Sequence, residues 1–209
     1  MTTRAMVGGL VLVCVTALVT RQVVSDDKAG GEKPKIPDPG SEMAKMMEAY
    51  AKANEIGRHH RLLEPIIGRW DVTARFYMSP SDPPTVEKAT FDRKWILSGR
   101  YFLEEYKGRW MGEPFEGVGL GGYDNQKQRY ISIWADSMST AFFIQEGEAD
   151  AAGKVFTYTG TMDDPVMKVT KKVRSVMRVE SNDKHTFEMY ETGPDGKEMK
   201  SMELVCTRR

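Results

Sequence analysis

The chain has 209 residues, and its 30 Lys plus Arg are balanced by 30 Asp plus Glu, with a pI near 6.8. That balance supplies no long-range field for nucleic acid or anionic lipid. A content of 40% hydrophobic and 29% charged residues excludes both a disordered chain and a multi-span membrane protein.

The amino terminus begins with Arg4 and an apolar run from Ala5 to Val19. Fifteen residues rise about 22 Å as a helix, short of a hydrocarbon core of roughly 30 Å. Val23-Val24-Ser25 suits signal-peptidase cleavage before Asp26. Residues 1–25 are therefore expected to be a cleaved signal peptide, and the protein to be exported to the periplasm or beyond. Membrane contact is expected only if this segment stays uncleaved as an anchor, a reading that the nearby charge of Arg21 supports. Cleavage would remove Cys14 and leave Cys206 alone, in an alternating segment where it reads as a small buried hydrophobe. Residues 26–40 hold acids, glycines and prolines with almost nothing apolar, and read as a flexible linker.

A helix is expected over residues 41–57, with Ser41 as its cap and Gly57 as its stop. Met43, Met46, Met47 and Tyr50 fall on one stripe of it. The stripe is expected to pack on the main domain; a methionine-rich surface that grips a partner is the other reading.

Residues 58–209 are expected to form one barrel domain, and from Arg69 onward the period becomes that of strands. Alternating segments follow at Trp70–Tyr77, Val86–Leu97, Arg100–Tyr106, Phe115–Gly122, Arg129–Asp136, Thr140–Glu148, Val155–Thr161, Val166–Val179, His185–Tyr190 and Met199–Thr207. Asp124-Asn125, Asn182-Asp183 and Pro194-Asp195-Gly196 carry turn chemistry between them. About ten strands joined by short hairpins predict an all-β fold, an up-and-down antiparallel barrel with an N-terminal helix. Closure is also the simplest way to leave no exposed edge. Leu62, Leu63, Ile66 and Ile67 around Pro65 suit a plug for one barrel end.

Gly68-Arg69-Trp70 opens the first strand and Arg208-Arg209 ends the last. The pairing resembles the lipocalin and calycin signature, which implies a structural role for Gly68, Trp70 and Arg208, the tryptophan packing beneath a terminal arginine. Lys94-Trp95-Ile96-Leu97-Ser98-Gly99-Arg100, Pro114-Phe115-Glu116-Gly117, Gly122-Tyr123-Asp124-Asn125, Trp134-Ala135-Asp136-Ser137-Met138-Ser139-Thr140 and Phe187-Glu188-Met189-Tyr190 carry a closer likeness. With His60-Arg61-Leu62-Leu63 they resemble a bacterial domain of unknown function, family fifteen seventy-nine, over about Met43 to Arg209. The resemblance implies a lipocalin-like barrel and supplies no activity.

Motifs that carry chemistry are sparse. Gly117-Val118-Gly119-Leu120-Gly121-Gly122 satisfies G-x-G-x-x-G, but a turn and another strand follow it, so no helix end could receive a pyrophosphate. His60 and Glu64 are spaced to meet across a helical turn, too little for a metal site. His185 shares a face with Phe187 and Met189, where a haem ligand or an ordinary core histidine would both fit. Lys168, Lys171, Lys172, Arg174 and Arg178 read as a solvated face. Neither metal nor other cofactor is expected.

Glu104, Glu105 and Asp136 could reach the interior, where burial makes a carboxyl an acid or base. Alternation leaves open whether Ile131, Ile133 and Ala135 or Tyr130, Ser132, Trp134 and Asp136 line the interior. Gly117, Gly119 and Gly121 clear one strand face of side chains. If that face looks inward, Gly119, Tyr123, Trp134 and Asp136 are the candidate ligand-binding residues. The expected function is non-catalytic binding of a small, partly apolar molecule, with no catalytic residue and no nucleic-acid partner. An enzyme using an interior carboxylate, or an interaction module acting through the Met-rich helix, are the alternatives.

Overall fold

The computed structural model describes Asp38, residues 40–193 and residues 196–209. The expected signal peptide and nearly all of the expected linker lie outside the described residues. What is described falls into two units that divide after Glu55.

The first unit holds helix α1 (Glu42–Ala53), whose Ser41 hydroxyl accepts the N–H of Ala44 at 3.2 Å. The helix stops short of Gly57. Asn54 ends it by donating both its backbone N–H and its side-chain amide to the carbonyl of Tyr50, which satisfies acceptors that a further turn would have used. None of its side chains is buried.

The second unit opens with a short helix, α2 (Arg58–Arg61), and a 3-10 turn at Glu64–Ile66. Ten strands follow: β1 (Gly68–Phe76), β2 (Thr85–Ile96), β3 (Tyr101–Trp110), β4 (Glu113–Asp124), β5 (Arg129–Asp136), β6 (Phe143–Ala149), β7 (Val155–Asp164), β8 (Val169–Ser181), β9 (Lys184–Thr192) and β10 (Glu198–Arg208). Each pairs antiparallel with its chain neighbour, and β1 pairs with β10, so the sheet is a closed up-and-down barrel. The strand set matches the alternation in the sequence, with one instructive difference. β3 and β4 run on to a two-residue turn at Met111-Gly112, both at positive φ (49° and 85°), where a longer loop was expected. Met-Gly is a weak turn signal, because a side chain at positive φ is uncommon.

One barrel end is plugged by the segment before β1. Leu63 and Ile66 are buried against Tyr130, Phe156, Tyr158, Met177 and Val179. Trp70 is wholly buried, and its indole N–H donates to the carbonyl of Ile66 at 2.9 Å. Arg208 lies over the ring, its guanidinium carbon 4.2 Å from the centroid. The same guanidinium donates to the carbonyls of Ile67 (2.8 Å), Pro65 (2.7 Å) and Asn182 (2.6 Å). It thereby satisfies backbone acceptors from the plug and from the β8–β9 turn with one side chain. Gly68 makes the approach possible: its φ is +122°, and a Cβ there would sit 2.6 Å from the Arg208 Nη1. Arg209, by contrast, is exposed and reaches Asp71.

Removing this corner is expected to be costly. Trp70→Ala should destabilise by roughly 3–5 kcal/mol through the cavity it leaves. A double-mutant cycle between Trp70 and Arg208 should give a coupling of about 0.5–2 kcal/mol. The cycle with Arg209 should give none, as read by denaturant unfolding.

Candidate functional site

The inward face of each strand follows from burial and register. Glu104 on β3 pairs with Gly119 on β4, and Gly119 pairs with Trp134 on β5. Gly117, Gly119 and Gly121 are all buried, so the glycine face looks inward. On β5 the inward residues are then Tyr130, Ser132, Trp134 and Asp136, and the isoleucines face out. This inverts the ordinary pattern for a physical reason. A Cβ at Gly117 would collide with the Trp134 ring, and one at Gly121 with the Phe102 ring. The glycines on β4 make the room in which large neighbouring rings lie inside the barrel. At Gly119 the crowding is milder, with a Cβ placed 3.3 Å from Glu104 Cβ and 3.5 Å from the Trp134 ring.

The core is divided into two apolar clusters. One gathers Trp70, Val72, Phe76, Phe91, Tyr106 and Leu204 among others, with Trp110, Phe115 and Trp134 against it; the other is the cluster at the plug. Phe187 packs on both. Charged side chains are buried in the same interior. Arg93 on β2 projects from the face whose other buried residues are Ala89 and Phe91, its guanidinium carbon 4.3 Å from the Phe91 centroid. It pairs through Nε with Glu104, and Nη1 lies 2.7 Å from His185 Nε2 on β9. Arg93 and Glu104 are 6% and 9% exposed and His185 not at all. Gln145 and Ser175 add a second buried pair at 3.1 Å.

The tautomer of His185 follows from its partner. A guanidinium can only donate, so Nε2 accepts and the ring proton is on Nδ1. Among the described residues Nδ1 has no hydrogen-bond partner, although the ring stands edge-on to Trp70 with centroids 4.2 Å apart. Burial, with Arg93 and Arg208 adding to it, pushes this histidine down to about 2. Burial also pushes the Cys206 thiol, on the neighbouring β10, up to about 12, so it is a neutral core thiol.

The four candidate ligand residues are not all in one place. Gly119, Trp134 and Asp136 are together on adjoining inward faces. Trp134 Nε1 donates to Asp136 Oδ2 at 3.0 Å, while Oδ1 accepts the N–H groups of Met138 and Ser139. Tyr123 is at the plug end, stacked on His59 with centroids 4.4 Å apart and edge-on to Tyr130. Glu105 lies on the outer face of β3, half-exposed and 3.7 Å from Lys94. His60 Nδ1 accepts the N–H of Gly57, and Glu64 accepts from the Trp95 indole, so neither turns toward the other. Among the described residues no three His, Cys, Asp or Glu side chains gather as metal ligands do. The basic residues of β8 are partnered in part: Lys171 bridges Asp164 and Glu191, and Arg174 holds Glu198.

Arg93 was not singled out by sequence. Its signal was there: one charge within the buried alternation Ala89, Phe91, Arg93.

The buried histidine makes stability depend on pH. An unfolded histidine titrates near ~6.5, whereas the folded one resists protonation down to about 2. Its contribution is therefore full above about pH 6.5 and is lost as pH falls, because the unfolded chain then binds the extra proton. Unfolding free energies at pH 6.5 and 4.5 should differ by about 2 kcal/mol more in the natural protein than in His185→Gln. Glu104→Gln, which strips Arg93 of its counter-charge, is expected to cost about 3–5 kcal/mol at neutral pH.

The chain matches one family model and shares its fold with the first of the solved structures below. The model of a family described as "Protein of unknown function (DUF1579)" matches residues 55–208. The crystal structure of Rv2717c from M. tuberculosis superposes with a TM-score of 0.56 at 13% identity, over 74% of this chain and 99% of that one. The S-type phycobiliprotein lyase CPES from Guillardia theta gives 0.48 at 11% identity, over 76% and 96% of the two chains. A redesigned beta barrel gives 0.37 at 15% identity, over 74% and 98%. No curated protein matches the chain.

Proposed function

Because the chain belongs to the DUF1579 family of proteins of unknown function, no activity comes to it with that membership, and we propose that it is a non-catalytic binding protein for a small, partly apolar molecule. The observation that supports this is the burial of Arg93, Glu104 and His185 inside the barrel. Replacing a buried ion pair by apolar side chains is often neutral or stabilising, so stability alone gives little reason to keep one in the core. A ligand with one polar group and an apolar body would meet matching surfaces there. The ion-paired carboxylate and the neutral imidazole supply hydrogen bonds, and the rings of Trp134 and Phe115 supply flat apolar contact.

In this reading Gly119 and Trp134 form the wall next to the ion pair, and Asp136 fixes the Trp134 indole. Tyr123 acts from the plug end by holding His59. Glu104 serves as an acceptor tied to Arg93, which suits binding better than proton transfer. Neither metal nor nucleic acid has a part in it. Export through the apolar amino-terminal run, with cleavage after Ser25, belongs to the same proposal.

Native mass spectrometry of protein purified from its own host is expected to detect a bound molecule. The natural protein should take up an apolar fluorescent probe. Gly119→Leu, whose side chain would press on Glu104 and the Trp134 ring, should weaken that uptake by about tenfold or more while keeping cooperative unfolding. A natural protein that carries no molecule and takes up no probe would overturn the reading.

A further inference from the structure

The large hydrophobic side chains that stand in water on the barrel's connections are segregated to one end. In an up-and-down barrel the connections alternate between ends, so those after β1, β3, β5, β7 and β9 share the end away from the plug. There Met78, Met111, Met138, Phe142, Val166 and Met167 are exposed, from 57% at Met167 to 87% at Val166. On the plug-end connections, among the described residues, Leu97 alone is of this kind. Six against one on the two ends of a single barrel marks this end as a contact surface, since scattered apolar exposure would not choose an end.

The tips are held out by their turns. Asp164 Oδ1 accepts the N–H groups of Val166 and Met167 at 2.9 Å, and Asp136 Oδ1 does the same for Met138 and Ser139. Met111 is fixed outward by the tight turn it shares with Gly112. Little further ordering is needed when such side chains are buried.

We propose that this end of the barrel rests on a lipid bilayer, with the six tips inserted to the depth of the headgroup boundary. A folded protein partner needs one continuous complementary patch of roughly 800 Å². The tips come instead from four separate connections, with polar residues such as Ser79, Ser137 and Asp164 between them. A lipid interface closes around any set of apolar tips that share a plane. The charges at this end are mixed: Arg109 and Lys168 stand with Asp82, Glu113 and Asp164. With both signs present among the described residues, the surface is matched to a zwitterionic lipid. The inference rests on the exterior and is independent of what the interior holds.

Hydrogen exchange of the full chain with phosphatidylcholine vesicles separates this from any anchoring by the amino-terminal segment, because it reports each connection separately. Protection of residues 137–142 and 165–168, with no change at the plug-end residues 97–100 and 125–128, is expected. It should persist from about 0.1 to 1 M salt, where the Debye length falls from about 10 to 3 Å. The triple variant Phe142→Ser, Val166→Ser, Met167→Ser should need about tenfold or more lipid for the same protection, with an unchanged unfolding midpoint. Protection confined to the plug end, no protection at either end, or protection that vanishes in high salt would overturn the proposal. So would protection of the same tips without vesicles on raising the protein concentration, which would assign them to a second copy of the chain.

Discussion

The guanidinium of Arg208 is the contact on which the rest of the barrel depends. It lies on the last strand, covers the indole of the first, and takes hydrogen bonds to the plug and to the β8–β9 turn. A ten-stranded sheet closes only if β1 and β10 meet in a single register, and a one-residue slip would turn every side chain to the other face. With Trp70 opposite Arg208, the register is tied to a buried ring and to three backbone acceptors at once. The plug, the closure and the assignment of inner and outer faces are therefore one event.

That register carries a cost in the interior. It turns Arg93, Glu104 and His185 inward, where burial makes their contacts with one another matter most. Arg93 and Glu104 make these contacts from the β2–β3 hairpin, and His185 from β9, 92 residues away from Arg93. His185 also stands against Trp70, which joins the polar group to the closing corner.

The two ends differ in what they bury. The plug end is packed with buried apolar residues and with the His59, Tyr123 and Tyr130 rings. The far end has short, hydrogen-bonded turns that hold apolar side chains in water. Exposure of this kind earns nothing for folding, because the same side chains are as exposed in the unfolded chain. It is the opposite of the economy seen at the plug, and it is the property on which the proposed lipid contact rests.

The sequence alone determined the strand count, the hairpin order and the family likeness. These depend on local information: alternation with period two, turn residues such as Asp124-Asn125, and contiguous motifs such as Lys94–Arg100. It could not decide which face is inside, because alternation is symmetric until a neighbour is known. On β5 the isoleucines would ordinarily be buried, and only pairing with Gly117, Gly119 and Gly121 shows why Trp134 is inward instead. Glu104 and His185 could be named one at a time, but their partner Arg93 could not, since the contact crosses the barrel between strands 92 residues apart. The sequence likewise offered two terminal arginines, and the register chose Arg208. The shared end of Met78, Met111, Phe142 and Val166 is a property of the closed barrel. No local pattern records it, because an end exists only once the strands have closed.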